Sequence, residues 1–424
     1  MTAALTSQLA EDLAHAAQSL PQTPLRRAAI ARLSAQGLPN ARDENWKYAN
    51  LRPLERQKFA PAQAERGAVV LLPPVASGAR YVFFDGRFAP SVSSPGRDAA
   101  VRFTPLALAP PSAAAHTARR PDERFALLNE AFATDGAALQ APAQHHANET
   151  IELLFYATAP GESGASYPRI ELALEAGARL TLIERHVSAW ADDSFVNSAV
   201  SVTLGRGAQL EHYRLQELGA RAVLFDTLEA ELDADACYRL IGISTGARAA
   251  RTTLDVRLAG ERASLGMAIA GLGDGQQVQD AFARVEHLAP NARTEQTFRG
   301  IAAGRARVAF NGKVVVARHA AGTDSRQSLR GLLAGPEAEI DVRPQLEIYT
   351  DDVRCSHGAT AGKLDDNMLF YLLSRGIDPD TAQRLLKWAF LGDVLAQIAL
   401  PEARRAVEKR LADVLQDATI KELM

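Results

Sequence analysis

The chain has 424 residues, 47% of them hydrophobic and 23% charged, with a formal net charge of −3; that length suits two or three domains or one elongated core with flanking modules. The charge offers neither a basic field for nucleic acid nor a polybasic membrane anchor, and no apolar run approaches the ~20 residues that span a bilayer. Cys237 and Cys355 are too few for a disulfide framework, and Glu11 and Asp12 sit where a signal peptide needs an apolar run, so a reduced, cytoplasmic setting is expected.

The first 148 residues read as a mixed, mostly helical region. Leu5, Leu9 and Leu13 fall four apart and Ile30 and Leu33 three apart, giving short amphipathic helices broken by Pro21, Pro24 and Pro39. In "RYVFFDGRF", Asp85 and Gly86 between two apolar runs signal a hairpin. "LALAPPSAAAHTARRP" (106–121) reads as a flexible connector, and the segment after it as a helix ending at Gly136.

From about Ile151 strand-like runs dominate, and one phrase recurs: an apolar residue, a short turn, then an alanine leading into the next strand. Ala178, Ala208, Ala236 and Ala263 follow one another at 30, 28 and 27 residues, a weaker match at Ala292 continues the spacing, and Ala338 in the same phrase lies beyond it. Two strand runs per period of nearly 30 residues indicate a stacked solenoid in which only a small side chain fits each corner. An antiparallel sandwich with regular turns competes with this reading; a parallel β-helix over 149–358 accounts better for the repeat.

Residues 359–424 read as a helical module. Asp365 or Asp366 caps a helix with Met368, Leu369 and Leu372 on one face, ended by Gly376. Asp378 caps a second, with Pro379 at its first position and Leu386, Phe390, Val394 and Ile398 near one face. Pro401 opens a third carrying Val407, Leu411 and Val414. The leftover apolar surface must cover the solenoid, bind another protein, or both.

The stretch "DDVRCSHGATAGKLDD" (351–366) contains the chemistry. "GATAGK" is one residue short of a Walker A loop and has Leu364 where a magnesium-binding hydroxyl is needed, so it fails as a nucleotide site. "GLGDG" (271–275) lacks a dinucleotide-binding context and reads as a turn. Cys355 and His357 lie two apart and, in an extended segment, share a face from which both can reach one metal. If residues 350–352 stay extended, that face is the outer one. Two donors are too few for a closed zinc or iron–sulfur site, so further ligands must come from elsewhere in the chain or from a partner. A Cys–His nucleophile pair and a purely local packing role are the competing readings. Cys237 reads as a packing residue at a repeat corner, and His186, His212, His287 and His319 as structural.

The segment 344–377, "PQLEIYTDDVRCSHGATAGKLDDNMLFYLLSRGI", resembles the signature of the SufB/SufD family of iron–sulfur cluster assembly scaffolds. "RDENWKYANLRPL" (42–54), "LNEAFATDGAAL" (128–139), "RARVAFNGKVVV" (305–316) and "AGTDSRQSLRGLLAG" (321–335) extend the resemblance over most of the chain. SufB-type chains carry further cysteines, whereas only Cys237 remains here, which points to the family's other type.

The resemblance implies a right-handed parallel β-helix flanked by N-terminal and C-terminal helices, and a non-enzymatic scaffold role. It implies pairing with a SufB-like chain through the β-helix, and binding of a SufC-like ATPase through C-terminal helices, where Leu386, Phe390 and Val394 are the candidate contacts. It places His357, with Cys355 beside it, at the subunit junction where nascent clusters form. A cluster or iron is expected there only transiently, shared with the partner, and none stably on the isolated chain. Edge strands that meet the partner also permit a homodimer of the isolated chain. The alternative function is a β-helical carbohydrate-active enzyme.

Overall fold

In the computed structural model, residues 3–40, 43–62, 69–108, 123–190 and 193–416 are described. Most of the connector expected at 106–121 lies outside them. The centre of the chain winds into a parallel β-solenoid of about eight turns. Each turn contributes one strand to each of two sheets, and strands one turn apart pair in parallel register.

The repeat read from the sequence has a physical basis at the corners. Ala178, Ala208, Ala236, Ala263 and Ala292 are all fully buried. Each follows a residue with left-handed backbone: Gly177 (φ 71°), Gly207 (φ 66°), Asp235 (φ 60°), Arg262 (φ 59°) and Asn291 (φ 60°). The chain reverses through that residue, and the alanine methyl fills the space left inside the bend. Between corners, alternate residues line a continuous interior, for example Leu180 and Leu182, Leu210, Tyr238 and Leu240, and Val308, Phe310 and Val314. Ala236 fills its corner while Cys237 opens the next strand with the opposite parity to Tyr238 and Leu240.

Helices α1 (Ala3–Ser19), α2 (Pro24–Gln36) and α3 (Arg124–Phe132) join a core that takes in Phe195, Val223 and Phe225 of one sheet. Pro24 opens α2 rather than breaking it, because a first-turn proline forfeits no helical hydrogen bond. Trp46 is buried against Phe125 and Phe225 and lies 4.6 Å beneath the Arg251 guanidinium. Buried Asn129 donates to the carbonyls of Pro168 and Asn197 at 2.9 and 2.8 Å. Helix α3 stops at Phe132, before Gly136, because Ala133 turns extended and Asp135 spends its carboxylate on the backbone N–H groups of Phe88 and Ala107. The hairpin expected at Asp85-Gly86 forms between Gly78–Phe84 and Arg87–Phe88.

Helices α4 (Asp366–Ser374), α5 (Pro379–Leu395) and α6 (Pro401–Val414) follow the last coil. Asp365 caps α4 and Asp378 caps α5, each side chain accepting backbone N–H groups of the first turn. Leu391 and Val394 of α5 and Val407 and Leu411 of α6 pack with Tyr213, Leu215, Ile241 and Ile243 on the solenoid's outer surface. Arg299 donates from Nε to Asp393 at 3.1 Å, and the Leu400 N–H donates to the Tyr213 hydroxyl at 2.9 Å.

Candidate functional site at the open coil

The last coil is the place where the solenoid's pattern of burial breaks. Its strands Glu339–Ile348 and Val353–Gly362 end the two sheets, each paired on one side only among the described residues. Ile340, Val342 and Leu346 on one strand, and Val353 and Cys355 on the other, rest on the interior core while staying partly exposed. Nothing among the described residues lies above them in the stack.

The parity expected for Cys355 and His357 is corrected. Residues 349–352 leave the strand conformation and turn the corner, which resets the alternation. Cys355 then pairs with buried Ser325 and His357 with buried Gln327, both on the inward face of the preceding coil. The two residues therefore face along the interior of an uncovered coil. Cys355 is half-buried and His357 exposed, about 6.6 Å apart along the strand, so both side chains can meet one group lying over the coil end. Burial pushes the Cys355 thiol above its ordinary pKa, a hydrogen bond from the Ser325 backbone opposes this, and the Asp324 charge adds to the rise. A cation or a donor at the coil end would be needed to hold the thiolate. Among the described residues no three His, Cys, Asp or Glu side chains gather as metal ligands.

Two polar files reach this end through the interior. His287 Nε2 lies 3.1 Å from the Thr294 hydroxyl, which donates to Ser325 Oγ at 2.8 Å, directly beneath Cys355. In the second file Gln296, Gln327 and His357 occupy successive register positions. Burial pushes His287 down to about 4. The unfolded chain, with histidine near its usual 6.5, therefore binds the extra proton between about pH 6.5 and 4, and stability falls as the pH drops through that window. The full loss is on the order of 3 kcal/mol. Thermal unfolding of the native chain should thus steepen below pH 6.5 relative to His287→Leu; equal slopes would refute the assignment.

A deeper polar network escaped the sequence reading. Glu184, wholly buried, lies 2.6 Å from His186 Nε2, 3.0 Å from His212 Nε2 and 2.6 Å from Arg214 Nη2. Arg214 also reaches Asp226 at 2.8 Å, and His212 Nδ1 reaches the Tyr238 hydroxyl at 3.1 Å. Burial alone would raise the Glu184 pKa, but the Arg214 charge and these hydrogen bonds outweigh it and hold the carboxyl well below the usual range. Burial lowers that of His212, against the pull of Glu184. A cavity of about 70 Å³ lies beside Arg214, Gln216, Ser244 and Gln279. The pairs Glu184–Arg214, Glu184–His212 and His212–Tyr238 look unrelated in the sequence because their members stand one coil apart, a separation that the alanine period already gives.

The C-terminal candidates separate into packing and surface. Val394 is fully buried against the sheet, and Phe390 and Leu386 are half-buried. Val394 therefore packs the helices rather than offering a contact, because α5 must bury its apolar stripe on the solenoid before anything else can use it. The exposed apolar side chains are instead on α4, which has no buried residue: Met368, Phe370 (72% exposed), Tyr371 and Leu373, together with Leu385 of α5.

Fold and candidate site together define a β-solenoid protein whose candidate side chains, Cys355 and His357, lie on a coil end that no described residue covers rather than in an enclosed cleft. Residues 155–390 match the family model described as the SufBD core domain of the SUF system for FeS cluster assembly. The chain is 30% identical to the iron–sulfur cluster assembly protein SufD of Escherichia coli, over 89% of each chain. It is 30% identical to an iron–sulfur cluster assembly SufBD family protein of Synechocystis, over 88% of this chain and 87% of that one. The protein ABCI7, chloroplastic, of Arabidopsis thaliana is 28% identical over 59% of this chain and 53% of its own length. The chain belongs to the SufB/SufD family of iron–sulfur cluster assembly proteins and is SufD-like. The carbohydrate-active alternative finds no support in these relatives. No helix among the described residues is long and apolar enough to cross a membrane.

Proposed function

We propose that this chain is a non-catalytic, cytoplasmic scaffold subunit of an ATP-driven assembly complex, and that its open coil end forms one half of the site where clusters are built. The observation that carries the reading is the exposed imidazole of His357 beside Cys355, on a terminal strand with one hydrogen-bonding edge unused. Such an edge, with partly uncovered Ile340, Val342 and Leu346, invites another chain to continue the stack. A SufB-like subunit docked there brings the thiolate and carboxylate donors that Cys355 and His357 lack. Neutral imidazole and thiolate suit iron and sulfide, which enter as cargo and leave as product. A pocket split between subunits opens when the subunits move. The failed Walker pattern fits motion supplied by a SufC-like ATPase, seated on the exposed apolar face of α4 with Leu385 and Leu386 at its margin. Without the partner, the same edge admits a second copy of this chain.

The test is anaerobic recovery of the chain from its own cells, with co-purifying proteins identified and iron and sulfide measured. A SufB-like chain and an ATPase should come with it. Recovery of the chain by itself, or only with proteins unrelated to cluster assembly, would refute the reading.

A further inference from the structure

An interior file of amides runs up to the position of His357. Gln296, Gln327 and His357 are successive rungs on three parallel strands, all facing inward. Gln327 Nε2 donates to Gln296 Oε1 and to the Gly312 carbonyl, each at 3.2 Å. A backbone carbonyl only accepts, so the contact with Gly312 fixes which end of the amide is nitrogen. Gly312 also makes room for it: a methyl group there would lie 2.7 Å from Gln327 Nε2. With its nitrogen turned toward the preceding coil, the amide turns its oxygen toward the following strand. That atom, Gln327 Oε1, is buried and has no partner among the described residues, and the residue at the next rung is His357.

We infer that Gln327 is the positioning residue for His357. A rotation of the exposed imidazole brings one ring N–H to this unpartnered oxygen, which selects one tautomer and leaves the other nitrogen's lone pair facing the coil end. An unpaired buried carbonyl oxygen is costly, and a ligating histidine needs its second nitrogen held by an acceptor; one hydrogen bond answers both requirements. The importance of this device for cluster assembly rests on the function proposed above, but its existence does not.

The experiment is nitrogen NMR of the full chain labelled with ¹⁵N-histidine, the His357 signals being those lost in His357→Ala. In the native chain the two ring nitrogens should give well-separated resonances, one protonated and one bare. In Gln327→Met the separation should shrink as the two tautomers exchange, and Gln327→Glu, which keeps an oxygen at the rung, should retain it. Averaged resonances in the native chain would overturn the inference without any variant, as would an unchanged separation in Gln327→Met. In complex with the SufB-like partner, Gln327→Met should further weaken ferrous-ion binding about 10- to 100-fold. If His357→Ala leaves that binding unchanged, His357 is no ligand and the proposed function fails, while the tautomer result still decides the role of Gln327.

Discussion

Cluster formation by the assembled complex is expected to fall on the order of 100-fold or more in His357→Ala, because removing a ligand should cost at least as much as removing the group that orients it. The complex itself should still form, and the chain's unfolding midpoint should stay within a degree or two. His357 is exposed and belongs to none of the apolar clusters, so truncating it removes chemistry without removing core. The matched control is Cys355→Ala, where a smaller loss is expected because the thiol is half-buried and resists ionisation. The assay is the rate of cluster transfer to an apo-acceptor from the reconstituted assembly, beside gel filtration of the complex. A normal transfer rate in His357→Ala would remove this residue from the site.

The second large effect concerns α4. Phe370→Asp places a charge at the most exposed apolar side chain of α4, a helix that also exposes Met368 and Tyr371. An aromatic anchor of an interface typically contributes 2 kcal/mol or more, so ATPase affinity should fall about 30-fold or further. The fold should be untouched, since α4 has no buried side chain. Val394→Ala should do the reverse, costing about 2 kcal/mol of fold stability through a cavity under α5 while leaving ATPase affinity nearly unchanged. Calorimetric titration of the ATPase, paired with thermal unfolding of each variant, separates the two. Equal affinities for native and Phe370→Asp chains would move the ATPase contact elsewhere.

Much of the architecture could be read before any coordinates. The alanine period marked the corners because only a methyl group fits beside a left-handed residue, and Asp365, Asp378 and Pro379 announced helix starts through their capping chemistry. Residue type and spacing led to Cys355 and His357, and the motif resemblance implied their place at a subunit junction, but neither gave their orientation. Strand parity survives only until the chain leaves the strand, and residues 349–352 do so. For Val394 the difficulty was different: an apolar helical stripe looks the same whether it meets its own sheet or a partner, and only the packing of α5 on the solenoid decides. Other matched motifs proved to be structural ties, with Trp46 clamped beneath Arg251 and Asn129 joining the strand residue Asn197 to Pro168, just before the strand Arg169–Leu174. The Glu184 network stayed hidden because inward polar residues break the apolar alternation one at a time, and only the coil spacing brings them together.

Ferrous-ion titration of this chain, of its SufB-like partner, and of the two combined, followed anaerobically, asks most directly whether the pocket is shared. Only the combined chains should bind iron tightly, and His357→Ala should abolish the gain on mixing. Tight binding by either chain separately, or an undiminished gain with the variant, would mean that the coil end is not half of a joint site.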